Sequence, residues 1–306
     1  MFIVVLGSAA GGGFPQWNCN APTSRGVREG TLNAKSRTQA SIAVSSDGAN
    51  WLLINASPDF RQQQLSTRQL WPRAGLLRHT PIKAVLLTSA EIDHVAGLLS
   101  MRESQSFALW ATQRVHDILA ENPIFGALNP AYVERRAFHL HLPWEIAGRD
   151  EPLGLTIEAF PVPGKVPLFL ESRNVGNLAG VAEDTTGLRV SQGATSFFYI
   201  PGCAELTPAL RAQLRGAQLV FFDGTLWSDD ELVRLDISSK TGKRMGHMSI
   251  DGEDGTIAAF RDLDVGRKIF IHVNTTNPIF DEESKEHAAM RRAGWEVAED
   301  GMEIQL

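Results

Sequence analysis

The stretch TSAEIDHVAGL, residues 88–98, carries the strongest signal in this sequence for a fold built around a functional site. It follows an apolar run at residues 84–87 that is typical of a buried strand, and it leads into an apolar segment compatible with a helix. Asp93 and His94 are therefore predicted to lie at a turn between a strand and a helix. Side chains at such a turn project into a site instead of a core, and both residue types bind metals.

Composition and charge limit the classes of function. The chain has 306 residues, of which 43% are hydrophobic and 21% are charged, as in ordinary globular proteins. Its formal net charge of −6 does not favour nucleic-acid binding, which needs clustered basic side chains. We expect one domain spanning residues 1–306, because no linker rich in Pro, Gly or Ser divides the chain.

The cysteines and the N-terminal residues favour a cytoplasmic protein. Cys19 and Cys203 are too few for a disulfide framework, and free thiols fit a reducing compartment. Residues 1–6 are apolar but too short for a signal-peptide core, and they are better interpreted as a first strand. No run approaches the ~20 apolar residues that a membrane-spanning helix needs, so membrane insertion is not expected.

Strands with helices interspersed along the chain predict a layered α/β fold. The predicted strands are residues 2–6, 39–44, 51–55, 84–87, 106–110, 136–141, 155–160, 196–200, 218–222 and 268–272. The predicted helices are residues 57–66, 112–120, 208–214 and 281–293, and residues 14–37 are predicted to be loop-like. The glycine-rich residues 7–13 are predicted to form a structural or substrate-facing loop, because the Lys-Ser/Thr of a phosphate-binding loop is absent.

Three further strands end in residues that bind or orient ligands. Asp223, His272 and Asn55 each follow an apolar run directly. A single Asp after a strand is most often a turn former. Taken together with Asp93 and His94, a shared metal site at the carboxyl edge of a sheet is the better explanation.

Five segments carry a family resemblance: residues 7–20, 55–59, 89–94, 246–249 and 272–278. On these segments, and over its whole length, the sequence resembles the PqqB family, the metallo-β-lactamase-fold proteins of pyrroloquinoline quinone (PQQ) biosynthesis. The long N-terminal segment is highly specific. The resemblance implies a four-layer αββα sandwich with the active site along one edge of its two sheets.

The resemblance implies a site for one divalent metal. Its ligands, carried over by position, are Asp93, His94, Asp223 and His272. Two histidines with one or two carboxylates and open positions resemble the ligand set of non-haem Fe(II) oxygenases. Fe(II) is therefore favoured, although Zn(II) accepts the same donors.

A second metal pocket of the fold is mostly lost. The superfamily motif His-x-His-x-Asp-His has Ser89 and Glu91 in place of its first two histidines. Residues 163–165, where the fold supplies a third histidine, read Pro-Gly-Lys. Serine is a poor metal ligand, whereas Glu91 is left with three open roles: a ligand, an acid or base, or a filler of the lost pocket.

The activity implied by the resemblance is an iron- and O₂-dependent hydroxylation of the tyrosine ring in a Glu–Tyr-derived PQQ precursor. Catalytic roles are expected for His247, Glu91 and Asp93. A histidine suits proton transfer near neutrality, although the alternative for His247 is a loop residue bonded to backbone. A carrier of PQQ or of an intermediate, with a vestigial metal site, and a metal-dependent hydrolase of the phosphodiesterase type stay open. Other proteins of the PQQ pathway are candidate partners.

Contacts with an anionic substrate or with PQQ call for cationic and amide donors. Arg25, with Arg28 and Lys35, offers charge in residues 14–37, and Asn274 and Asn277 offer hydrogen bonds beside His272. Most basic loop residues are simply solvated.

Two further patterns, one of cysteines and one of histidines, do not predict additional metal sites. Many PqqB-like sequences have a Cys-x-Cys-x-x-Cys segment where residues 19–24 of this chain retain only Cys19, which predicts a lone thiol. His139 and His141 share one face of the strand predicted at 136–141, but no carboxylate partner is near in sequence, which favours a chance match.

Overall fold

The architecture is a pair of facing β-sheets. The computed structural model describes residues 1–171 and 180–306, which form two seven-stranded sheets. From edge to edge, the first sheet consists of β14 (Glu303–Gln305), β1 (Phe2–Gly7), β2 (Ser41–Ser45), β3 (Trp51–Ile54), β4 (Ile82–Leu86), β5 (Phe107–Ala111) and β6 (Val133–Ala137). The second consists of β13 (Trp295–Val297), β12 (Arg267–Ile271), β11 (Leu219–Asp223), β10 (Thr195–Ile200), β9 (Thr186–Gln192), β8 (Pro152–Pro161) and β7 (Trp144–Ala147).

Helices and short helical turns connect the strands. The α-helices are α1 (Pro22–Glu29), α2 (Phe60–Ser66), α3 (Ile92–Val95), α4 (Gln113–Glu121), α5 (Pro208–Leu214), α6 (Glu231–Arg234), α7 (Gly242–Met245), α8 (Thr256–Ala259) and α9 (Lys285–Arg292). The 3₁₀ turns are Arg68–Leu70, Ala96–Met101, Pro123–Ala127, Leu168–Leu170 and Pro278–Phe280. Across the described ranges, no helix is both long and apolar enough to cross a bilayer.

The strand directions bring the predicted site residues to one edge. Strands β3 to β6 run parallel to one another in the first sheet. Strands β10 to β13 run parallel in the second sheet. Carboxyl ends of parallel strands share an edge, so the residues that follow β4, β11 and β12 are available to one site.

Three apolar clusters produce four layers. In β11, Leu219 and Phe221 point into the core between the sheets, whereas Val220 and Phe222 point towards the helices of the outer layer. Burial on both faces explains why these strands read as continuous apolar runs. On the other outer face, side chains of α4 such as Val115 pack against the first sheet. The predicted αββα sandwich is confirmed.

Two predicted boundaries were wrong for local reasons. Residues 14–37 were predicted to be loop-like but contain α1, which begins with Pro22 and ends at Gly30 in a left-handed conformation with φ of 67°. Helix α2 begins at Phe60 and not at Ser57, because the Ser57 hydroxyl accepts the backbone N–H of Asp59 and residues 57–59 form a turn.

The strand predicted at residues 136–141 was also misplaced. Strand β6 ends at Ala137, and His141 has a left-handed φ of 64° within a turn. His139 and His141 therefore do not share a strand face. Neither residue belongs to a potential metal-binding group among residues 1–171 and 180–306.

Candidate metal centre

The first half of the site is a triad of Asp93, His94 and His272. Asp93 and His94 lie in the short helix α3, which residues 87–91 connect to β4, and His272 directly follows β12 of the other sheet. One potential ligand atom from each residue lies within 4.8 Å of the other two. Nε2 of His272 and Oδ2 of Asp93 are 2.9 Å apart. The site thus joins the two sheets at their common edge.

The ring of His94 is held in place by a hydrogen bond at one nitrogen, and its other nitrogen has no partner among the described residues. Its Nδ1 lies 2.7 Å from Oγ of Ser89, and the nearby Thr88 is fixed by hydrogen bonds to Asn55. Nε2 of His94 is buried and has no hydrogen-bond partner in the described part of the chain. Buried polar atoms are normally paired, and metal-binding histidines are normally held through their second nitrogen. Nε2 of His94 therefore fits a metal ligand.

The second half of the site is a triad of Asp223, His247 and His272. Nδ1 of His247 lies 2.7 Å from Oδ2 of Asp223, which is completely buried at the end of β11. The rings of His247 and His272 stack with centroids 5.2 Å apart and planes at 20°. His272 belongs to both triads, so the four predicted metal ligands come together and His247 joins them.

Thr225 is a part of the site that the sequence interpretation missed. Its Oγ1 lies 2.9 Å from Nδ1 of His272, 3.1 Å from Nδ1 of His247 and 2.7 Å from Oδ1 of Asp223. The backbone N–H of Thr225 also donates to Oδ1 of Asp223. Its place two residues after Asp223, at a strand end, is the signal that could have found it.

Backbone conformation aims the side chain of His272. Its φ is 59°, a left-handed conformation that few residues other than glycine adopt. The backbone on both sides of His272 is tied to the segment that follows β11, because the N–H of Gly224 donates to the carbonyl oxygen of Ile271 and the N–H of Asn274 donates to that of Thr225. Such local strain, of order 1–3 kcal/mol, is commonly found at functional sites.

Burial and charge act in opposite directions on the ionisable groups. Burial raises the pKa of Asp93, but the neighbouring His94 and the hydrogen bond from His272 outweigh it and lower that pKa. Burial lowers the pKa of His94, which favours the neutral ring that binds metals. Burial also works to lower the pKa of His272, yet the bond and charge of Asp93 raise it overall.

A cavity of about 600 Å³ opens onto the two triads. Of the predicted site residues, those that line it are Glu91, Asp93, His94, His247, His272 and Asn274. Ala10, Gly11 and Gly12 also line it, which is consistent with the substrate-facing interpretation of the glycine-rich loop. Asp223 itself is fully buried, and Thr225, which is bonded to it, faces the cavity.

Glu91 is paired with a lysine. Its Oε1 lies 3.0 Å from Nζ of Lys165, and its Oε2 accepts the backbone N–H of Leu168. Glu91 belongs to neither triad. Lys165 stands in the segment where the fold was expected to supply a third histidine. The sequence shows that the third histidine is missing, but no pattern in it pairs Lys165 with Glu91, which lies 74 residues away.

Two residues predicted to contact substrate lie elsewhere. Arg25 is exposed on α1 and does not line the cavity. Asn277 is completely buried, its amide donates to the carbonyl oxygens of Gly224 and Thr225, and its Oδ1 caps the turn at Ile279. Asn277 is thus occupied in holding the loop after β12, because a buried amide needs protein partners.

A two-sheet sandwich with a His/Asp cluster at its edge defines a member of the beta-lactamase superfamily. A family model described as the beta-lactamase superfamily domain matches residues 50–273. The chain is 62% identical over 306 residues to coenzyme PQQ synthesis protein B of Xanthomonas campestris pv. campestris (strain B100), with 100% of both chains covered. It is 54% identical to the protein of that name from Gluconacetobacter diazotrophicus, with 99% of this chain and 98% of the relative covered. The chain belongs to the coenzyme PQQ synthesis protein B family.

Solved structures agree with this assignment. Zn(2+)-bound PqqB from Methylobacterium extorquens superposes with a TM-score of 0.94 at 44% identity, with 100% of both chains covered. A diphosphatase of the PhnP family has a TM-score of 0.68 at 20% identity, covering 99% of this chain and 96% of its own, and shares the fold.

Proposed function

We propose that this protein is an Fe(II)- and O₂-dependent hydroxylase of PQQ biosynthesis that acts on the tyrosine ring of a Glu–Tyr-derived precursor. The observation that carries the proposal is the buried, unpartnered Nε2 of His94 beside Asp93 and His272. Two histidines and one carboxylate are the donors of non-haem iron oxygenases. The membership of a PQQ synthesis family supports the pathway.

The ligand set supports a single divalent ion. Asp93, His94 and His272 would hold it, and Asp223, which shares the second triad with His272, is the second carboxylate of the proposed ligand set. A bound Fe(II) would supply the redox chemistry that O₂ requires. Zn(II) fits the same donors. The related PqqB from Methylobacterium extorquens is a Zn(2+)-bound structure.

The overall reaction balances with an external reductant. One atom of O₂ becomes the new ring hydroxyl, and the other leaves as water. Two electrons come from the reductant and two protons from solvent or from side chains at the site. The hydrogen that leaves the ring carbon appears on the new hydroxyl group after proton exchange.

His247 is the proposed proton carrier. Its Nδ1 faces Asp223 and Thr225, which leaves Nε2 as the nitrogen able to exchange a proton with substrate. A carboxylate partner holds the ring in one orientation, as the buried Asp223 does here. We propose that His247 accepts the proton of the substrate phenol and later returns one to the product.

The cavity suits an amino-acid-derived aromatic substrate. Ile92 and Met245 offer apolar contact for a ring, whereas Asn274 and Lys240 offer donors for carboxylates and amides. A volume of about 600 Å³ lies within the usual range for small-molecule sites.

The direct test is reconstitution of the metal-free protein with Fe(II) under anaerobic conditions, followed by O₂, a reductant and a Glu–Tyr or tyrosine-derived substrate. A product with one additional oxygen, formed by the Fe(II) protein and not by the Zn(II) protein, is expected. Tight PQQ binding without turnover, unchanged in Asp223→Ala, would instead support a carrier. Cleavage of a phosphodiester with two bound metals would support a hydrolase.

A further inference from the structure

Lys165 lies between two carboxylates in the wall of the cavity. Its Nζ is 3.0 Å from Oε1 of Glu91, 3.0 Å from Oε1 of Glu171 and 3.3 Å from the carbonyl oxygen of Val166. The side chains of Lys165 and Glu171 are only 15% and 10% exposed. An ammonium group has three N–H donors, and Lys165 donates to Glu91 and to the carbonyl oxygen of Val166, whereas Glu171 lies beside the ammonium in a close charge contact.

The two carboxylates hold the ammonium group of Lys165 in place. Glu91 and Glu171 each have an oxygen 3.0 Å from its Nζ, and the side chain is only 15% exposed. Lys165 therefore acts as a fixed cation of the cavity wall.

The two carboxylates around Lys165 form a set of donors that a divalent ion also accepts. Hard cations take carboxylate and carbonyl oxygens, and Glu91, Glu171 and Val166 present both kinds. Glu91 lies two residues before Asp93 and lines the same cavity. A cation at this position therefore borders the same cavity as the metal triad.

We propose that the ammonium group of Lys165 occupies a second cation position, between Glu91 and Glu171, and thereby limits the centre to one metal ion. The inference rests on the metal-binding part of the proposed function and not on its hydroxylation step. It gives Glu91 a role that the sequence left open. Glu91 holds an internal cation in place of a second metal.

The surrounding charges agree with this role. Glu171 also contacts Lys240, with Nζ to Oε2 at 3.1 Å, and Arg244, with Nη2 to Oε2 at 3.6 Å. Burial works to raise the pKa of Glu171, but Lys165 and Lys240 lower it below the ordinary value. Glu91 has Lys165 as its ion-pair partner among the described residues. Removal of the Lys165 charge therefore leaves Glu91 without this ion-pair partner.

The test counts ions by equilibrium dialysis of the metal-free chain against Mn(II), followed by elemental analysis. Wild type is expected to bind one ion per chain. Lys165→Met is expected to bind two, with the second more weakly, because the one cation that contacts both Glu91 and Glu171 is then removed. Addition of Glu91→Gln to that variant is expected to remove the second ion.

Lys240→Met is the matched control, because it removes a cation from Glu171 and leaves the contact of Glu91 intact; it should stay at one ion. Lys165→Gln repeats the test if the Met variant does not fold, as judged by circular dichroism. Two ions on wild type, or one ion on folded Lys165→Met and Lys165→Gln, would overturn the inference. The ion count does not depend on catalytic turnover. It therefore tests this inference even if the protein shows no hydroxylase activity.

Discussion

The hydroxyl of Thr225 lies 2.9 Å from Nδ1 of His272 and so connects the residue shared by both triads to strand β11. When the hydroxyl donates to Asp223, it accepts N–H from Nδ1 of His272. Nε2 of His272, which faces Asp93, then has the lone pair that a metal needs once it gives up the proton it shares with that carboxylate. We therefore expect Thr225 to fix which nitrogen of His272 is available to a metal.

Thr225→Val is expected to weaken metal binding by ~10–100-fold, the usual effect of losing a residue that orients a metal ligand. Valine keeps the shape and removes the hydroxyl, so the fold should persist. The measurement is a competition titration with a metal-binding dye. Thr256→Val is the control, since Thr256 is also buried and its hydroxyl donates to the carbonyl oxygen of Ser249, away from the two triads. Equal affinity in the two variants would contradict the role of Thr225.

His94→Gln is expected to lose more metal affinity than Thr225→Val, beyond ~100-fold, because it removes a direct ligand. Its matched control is His116→Gln. His116 is also buried, but it bonds the carbonyl oxygen of Arg136 on the outer side of the first sheet. Full metal content in His94→Gln after dialysis would show that its unpartnered Nε2 is not a ligand.

Metal binding is expected to release protons near neutral pH. In the metal-free protein, Asp93 raises the pKa of His272 above its ordinary 6.5, so part of the population is protonated there. Ligation needs the neutral ring, so apparent affinity falls as pH decreases through that raised pKa. Isothermal titration at pH 7 in buffers of different ionisation enthalpy should give different heats. Identical heats in all buffers would contradict this coupling.

The two thiols are expected to differ in reactivity. Cys203 is fully buried, its thiol donates to the carbonyl oxygen of Glu205, and burial raises its pKa to about 12. Thiolate is the reactive form, so alkylation of the folded protein at pH 8 should label Cys19 alone. Peptide mass mapping checks this, and Cys19→Ser should remain unlabelled until it is unfolded. Labelling of Cys203 at the same rate as Cys19 would contradict the expected difference in reactivity.

Local sequence was sufficient for most of the fold. The apolar runs that became β4, β11 and β12 are long and buried on both faces, so they are recognisable without tertiary information. Helix α1 was missed because its surroundings are polar, although Pro22 at its start and Gly30 after its end are typical helix boundaries.

The site was predictable only where the ligand lies at a strand end. Asp93, His94 and His272 came together as expected, because parallel strands deliver such residues to one edge. The ion pair of Glu91 and Lys165 depends on a contact between segments from different sheets, which no local pattern encodes. The same is true of the burial of Asn277.

The most direct measurement of the central claim is the source of the oxygen in the product. The Fe(II)-loaded protein would be given its tyrosine-derived substrate and isotopically labelled O₂ in unlabelled water, and the product analysed by mass spectrometry. We expect the new ring hydroxyl to carry the label, and we expect no such product from the protein bearing His94→Gln. An unlabelled hydroxyl, or no oxygenated product from a fully iron-loaded protein, would contradict a hydroxylase at this centre.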